Sequence, residues 1–66
     1  MKFTAKFEVL RKDLGMVELT DENGHWAGFF RVDLGKSRKR LYELAFDVAA
    51  REAKLKGGLL DRFTEV

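Results

Sequence analysis

The chain of 66 residues contains no cysteine and a single histidine. Without cysteine there is neither a disulfide framework nor a thiolate metal site, and the reducing cytoplasm is the expected location. One histidine cannot build a zinc site from imidazole ligands. The acidic residues of the first half are scattered rather than grouped. We therefore expect no metal and no cofactor.

Long apolar runs are also missing. The first residues, MKFTAKFEVLRK, carry a charge every few positions, a pattern that fits neither a signal peptide nor a membrane span. We expect an intracellular protein with no membrane partner.

The length limits the chain to one small domain, residues 1–66. A domain of this size buries only about 60% of the surface that its unfolded chain exposes. Without disulfides or metals, such chains gain stability from idealised packing, a second copy or a partner. A homodimer or a bound partner is therefore the expectation.

Positive charge is concentrated in the second half of the chain. Residues 1–33 hold five Lys/Arg against six Asp/Glu, and residues 34–66 hold eight against five, so the net charge of +2 combines −1 with +3. The folded domain should therefore have a positive end that attracts an anionic partner.

Three strands are predicted in the first half. Residues 2–9 alternate between apolar and polar side chains, which indicates a strand buried on one face. A short strand follows at residues 16–20, and Asn23-Gly24 predicts a type I′ hairpin leading into a third strand, His25 to Leu34. Its more apolar side should face the core; that side comprises Trp26, Gly28, Phe30, Val32 and Leu34.

One long helix is predicted in the second half. It should begin at about Arg38, with Ser37 as its N-cap, and end at Lys56 before Gly57-Gly58. An apolar stripe should face the sheet; it comprises Leu41, Leu44, Ala45, Val48, Ala49 and Leu55.

The stripe is wider than one sheet face requires, because Tyr42 and Phe46 extend it round one side. The tail LLDRFTEV should cover them as a fourth strand through Leu59 or Phe63, or else a second subunit should. The expected fold is α+β: a three-stranded antiparallel meander packed on one long C-terminal helix, with a short fourth strand as an option.

Enzyme signatures are absent. His25 flanks a tight turn and has no nucleophile beside it. Gly35-Lys36-Ser37 matches the end of a phosphate-binding loop motif, but Phe30 stands where the first glycine of that motif belongs. We expect a protein without catalytic activity.

A basic cluster precedes the first leucine of the helix and consists of Lys36, Arg38, Lys39 and Arg40. Cations there oppose the helix dipole, at ~0.3 to 1 kcal/mol each. An anion such as phosphate would meet both these side chains and the free NH groups of the first turn. The alternative is a solvated turn in which Lys39 and Arg40 pair with Glu43.

The open face of the sheet offers a second candidate surface. Phe29 should lie there among three cations, Lys2, Lys6 and Arg31. An exposed aromatic ring amid cations suits base stacking or a groove contact. Alternatively, Phe29 packs under the tail or at a dimer interface.

The stretch GKSRKRLYELAFDVAA, residues 35–50, follows three strands and resembles the C-terminal part of double-stranded RNA-binding domains. In that family a serine and two basic residues open the last helix, and the basic pair grips phosphates across the major groove. The resemblance assigns those roles to Ser37, Arg38 and Lys39. The chain departs from the family at a third basic position, where Tyr42 stands.

A layout of three strands and a helix also looks like small DNA-binding domains of integrases and plant transcription factors, which lay the sheet into the major groove. Our hypothesis is a non-catalytic domain that binds double-stranded RNA or DNA through the basic cluster. The alternative is a small protein-interaction module, such as a phage-type inhibitor, that uses Tyr42 and Phe46.

Overall fold

The computed structural model describes all 66 residues, which form one helix and four strands. The elements are β1 (Lys2–Arg11), β2 (Leu14–Asp21), β3 (Trp26–Asp33), α1 (Leu41–Leu55) and β4 (Leu59–Glu65). The strands make one sheet in the order β3-β2-β1-β4, and α1 packs on one face of it. The expected α+β class and the fourth strand are confirmed. Helix α1 is not long and apolar enough to cross a membrane.

The sheet is mixed rather than purely antiparallel. Strands β1, β2 and β3 pair antiparallel in sequence, as expected, but β4 pairs parallel with β1. The reason lies in the path of the chain. Because α1 returns from the end of β3 to the starting end of β1, the strand that follows must run in the same direction as β1.

The core lies between α1 and the sheet. Ala45, Ala49 and Ala53 are fully buried and recur once per turn, so the helix approaches the sheet closely. Large side chains from the strands, among them Phe7 and Leu19, fill the space opposite them. Further core residues are Phe3, Ala5, Val17 and Val32.

Leu55 does not belong to the buried stripe, contrary to expectation. It is 73% exposed and is the last residue of α1. It follows Ala53 by two positions, about 200° round the helix, and so lies opposite the alanine contact line. The helix also has 15 residues and is shorter than predicted.

The fourth strand covers the side of α1 that the apolar stripe left unexplained. The ring of Phe63 lies 5.1 Å from Tyr42, 5.4 Å from Phe46 and 5.9 Å from Phe7, measured between centroids. Leu59, the other candidate for this contact, is 72% exposed. Phe63 therefore covers the two rings in part, as expected, and Tyr42 and Phe46 remain 48% and 45% exposed.

A β-bulge in β3 changes which residues face the core. Leu19 pairs with Gly28 whereas Thr20 pairs with Trp26, so Ala27 is the extra residue. Gly28 has φ +145°, a value that residues with a side chain rarely adopt. The expectation that Trp26 faces the core is wrong, because the bulge interrupts the alternation; Trp26 lies on the open face and is 64% exposed.

The hairpin between β2 and β3 forms at the expected place but not with the expected turn. Within this turn only Gly24 has a positive φ, whereas a type I′ turn needs a positive φ at Asn23 as well. The carboxylate of Asp21 accepts hydrogen bonds from the backbone NH of Asn23 and of His25, both at 2.9 Å. These bonds hold the connection of residues 22–25, and the bond from His25 is the main cause that lowers the pKa of Asp21.

Gly58 lies between the end of α1 and the start of β4. Its NH donates to the carbonyl of Ala53 at 3.0 Å, and a Cβ placed on it would overlap the Met1 carbonyl and lie 2.6 Å from Phe3 Cε2. We expect Gly58→Ala to lower the free energy of unfolding by roughly 1–3 kcal/mol, measured by urea titration. Lys54→Ala, on the exposed side of the last turn, should stay within about 0.5 kcal/mol. A Gly58→Ala protein as stable as the parent would contradict this packing.

Candidate nucleic-acid interface

The basic cluster lies in the loop that connects β3 to α1, residues 34–40. The predicted helix start at Arg38 is wrong, because α1 begins at Leu41. Arg40 occupies the N-cap position with extended backbone, φ −76° and ψ 150°. The four basic side chains therefore extend from a loop and not from the first turn of the helix.

Ser37 stabilises a local turn instead of capping the helix. Its Oγ accepts a hydrogen bond from the NH of Lys39 at 3.1 Å, and its own NH donates to the carbonyl of Leu34 at 2.9 Å. No side chain caps the first turn of α1, so the prediction of Ser37 as N-cap is wrong. A local hydrogen bond between a serine side chain and a nearby backbone NH competes with helix formation. Because α1 begins only at Leu41, the four cations lie outside its first turn.

Only one cation of the cluster has an acidic partner within the chain. Lys39 Nζ lies 2.7 Å from Asp47 Oδ2, an ion pair at the surface. The alternative pairs with Glu43 do not form. Lys36, Arg38 and Arg40 are exposed and make no ion pair, so their charge is available to an external anion.

Two further cations lie at the same end of the molecule. Arg11 is the last residue of β1 and Lys12 lies in the turn to β2, which is joined to the loop by a hydrogen bond from Leu34 NH to Asp13 O at 2.8 Å. Sequence reasoning missed both residues, because only the sheet topology brings the turn between β1 and β2 next to the end of β3. The basic pole is hereafter the set Arg11, Lys12, Lys36, Arg38, Lys39 and Arg40.

Carboxylates are also present at this end of the molecule. Asp13 lies in the turn between β1 and β2, Asp33 is the last residue of β3, and Asp33 Oδ1 accepts a hydrogen bond from Gly35 NH at 2.9 Å. Neither makes an ion pair with a cation of the basic pole. The six cations therefore outnumber these two acidic groups.

The open face is the side of the sheet away from α1. The expected residues Lys2, Lys6, Phe29 and Arg31 are all exposed on it. Phe29 is 53% exposed, and β4 lies at the opposite edge of the sheet, so the alternative in which the tail packs over Phe29 is wrong. Other side chains of this face include Thr4, Glu8, Met16, Glu18, Thr20, Trp26, Leu59, Arg62, Thr64 and Val66.

The helix side carries the residues of the alternative interaction surface. Tyr42 and Phe46 pack against Phe63, yet they remain 48% and 45% exposed. Glu43 and Asp47 lie beside them in the same shallow depression. This surface is therefore aromatic and acidic, unlike the basic pole.

Comparisons with family models, curated proteins and solved structures return no match for this chain. No group of three or more His, Asp or Glu side chains lies close enough together to hold a metal ion. His25 is an exposed turn residue whose Nδ1 lies 3.6 Å from Asp21 Oδ2.

Proposed function

We propose that the protein binds the phosphate backbone of double-stranded nucleic acid, RNA or DNA, through the basic pole and without catalysis. The observation that carries this proposal is that Lys36, Arg38 and Arg40 are exposed and lack any acidic partner. A loop that holds three free cations, with Arg11 and Lys12 beside it, offers several phosphate contacts at one end of a small domain.

Arginine suits this role for a geometric reason. Its planar guanidinium donates two parallel hydrogen bonds to a phosphate, whereas lysine acts as a point charge. Lys39 can also contribute, because a surface ion pair such as the one with Asp47 contributes only about 0–1 kcal/mol and can be exchanged for a phosphate. The uncapped first turn of α1 adds NH groups near the same loop.

The resemblance of residues 35–50 to double-stranded RNA-binding domains supports the same contacts. In that family the basic residues at the start of the last helix grip phosphates. Here Arg38 and Lys39 stand in the loop before α1, where Arg38 is exposed and Lys39 pairs with Asp47. The proposal therefore keeps the phosphate contact and assigns it to a loop.

Salt dependence tests this function. Fluorescence anisotropy with duplex RNA, duplex DNA and single strands, at salt concentrations from about 50 to 300 mM, should give a log-log slope of about −3 to −5 for duplexes. That slope corresponds to roughly three to six neutralised phosphates at about 0.9 each. Absence of duplex binding at the lowest salt, or a slope near zero, would contradict the proposal.

The second candidate function is a protein-interaction module. It is supported by the two half-exposed rings of Tyr42 and Phe46 on α1. Under that function these rings are essential and the basic cluster is not. Under the first, Phe46→Ala leaves duplex affinity unchanged, so the same anisotropy assay separates the two functions.

A further inference from the structure

The edge strand β3 presents an aromatic strip on the open face. Trp26 and Phe29 are both more than half exposed, and their ring centroids lie 6.1 Å apart with an interplanar angle of 61°. Arg31 follows on the same face. Large aromatic side chains are uncommon on an uncovered sheet face, and a pair of them marks a contact surface.

A shallow depression of about 350 Å³ lies beside this strip, at the centre of the face. This volume falls within the range of about 300–1,000 Å³ found for small-ligand sites. Phe29, Met16 and Val66 form its apolar wall, and the polar groups are Lys6, Glu8 and Glu18. One planar ring could therefore stack on Phe29 while polar atoms at its edge meet a carboxylate or an ammonium group.

The charges around the depression indicate the kind of ligand. Four cations and two glutamates lie on the open face, and none of these six groups is in an ion pair. The cations are Lys2, Lys6, Arg31 and Arg62. A second copy packed face to face would bring these like charges together, which disfavours a homodimer here. An anion with planar rings fits both the cations and the aromatic strip.

Single-stranded nucleic acid meets these requirements, whereas a duplex does not, because its paired bases are not free to stack on a protein ring. We infer that the open face binds a single-stranded segment, with one base stacked on Phe29, the next against Trp26 and the phosphates near the surrounding cations. This inference rests on the proposed function in one respect, namely that the ligand is nucleic acid.

The two glutamates give this surface a base preference. A carboxylate only accepts hydrogen bonds, so Glu8 or Glu18 accepts from the exocyclic amino group of cytosine and repels the carbonyl oxygen that uracil has at the same position. Strands rich in cytosine therefore bind more tightly than strands rich in uracil, by about fivefold or more.

The test compares single-stranded RNA oligomers of cytidine and of uridine by fluorescence anisotropy at neutral pH and low salt. Phe29→Leu removes the stacking ring from an exposed site and should weaken binding of both oligomers while duplex affinity stays the same. The double variant Glu8→Gln with Glu18→Gln should bind both oligomers more tightly, because two negative charges are gone. Its preference for cytidine should disappear, since an amide also donates hydrogen bonds.

The outcomes separate this inference from the proposed function. Unchanged affinity of Phe29→Leu for both oligomers, or equal affinities of the parent protein for the two, with duplex binding intact, would overturn the inference alone. Loss of binding to duplex and single strands together would overturn both. A homodimer in sedimentation that Phe29→Leu dissociates would assign the face to a second copy and also overturn the inference.

Discussion

Alanine at Lys36, Arg38 and Arg40 together is expected to weaken duplex binding by at least ~10-fold and to reduce the log-log salt slope by about 2.7, or about 0.9 for each lost phosphate contact. These are the three cations of the basic cluster that have no acidic partner. Anisotropy titrations at several salt concentrations measure both quantities. The folded structure should persist, because all three side chains are exposed and make no ion pair.

A matched control distinguishes binding at the basic pole from attraction of nucleic acid by the net charge of the protein. Alanine at Arg51, Lys54 and Lys56 changes the net charge by the same amount, and these exposed residues lie in the last turns of α1 and at its C-cap, away from the basic pole. The control should leave the salt slope nearly unchanged. If both triple variants lose the same affinity and slope, binding depends on net charge and the basic pole is not the site.

Phe7→Ala is expected to have the largest effect on stability. Phe7 is fully buried, its ring contacts Tyr42 and Phe63, and it fills the space above Gly15, where a Cβ would lie 2.6 Å from its ring. Truncating a buried phenylalanine costs about 3–5 kcal/mol. A chain of 66 residues has a free energy of unfolding of only about 3–10 kcal/mol, so this substitution should remove at least about a third of the stability.

Phe29→Ala is the matched control for this prediction. It makes the same chemical change in the same sheet, but on the open face, where Phe29 is 53% exposed. Its free energy of unfolding should stay within about 1 kcal/mol of the parent, as measured by urea titration followed by circular dichroism. Equal destabilisation by the two substitutions would contradict the assignment of the core to the helix side of the sheet.

The strands were predictable where the alternation is regular. In β1 every second residue from Phe3 to Phe7 is buried, as the period of two requires. The bulge at Ala27 was not predictable from the same pattern, because one extra residue reverses the facing of every residue before it. The direction of β4 also depends on the path of α1, which no local pattern in the tail records.

The candidate site was predictable in part for similar reasons. The basic cluster is contiguous in sequence and is visible as a run of charge, but the start of α1 depends on the turn that Ser37 makes with Lys39. The pair between Lys39 and Asp47 joins residues eight positions apart and needs the loop to fold back along the helix. Arg11 and Lys12 join the pole only through the sheet topology.

The most direct test of the basic pole is a titration of the ¹⁵N-labelled protein with a short RNA duplex, followed by amide chemical shifts at low and at high salt. The account predicts shifts in residues 34–43 and at Arg11 and Lys12, which decrease as salt rises. Shifts centred on Phe46 and Phe63, or no shifts at low salt, would contradict it.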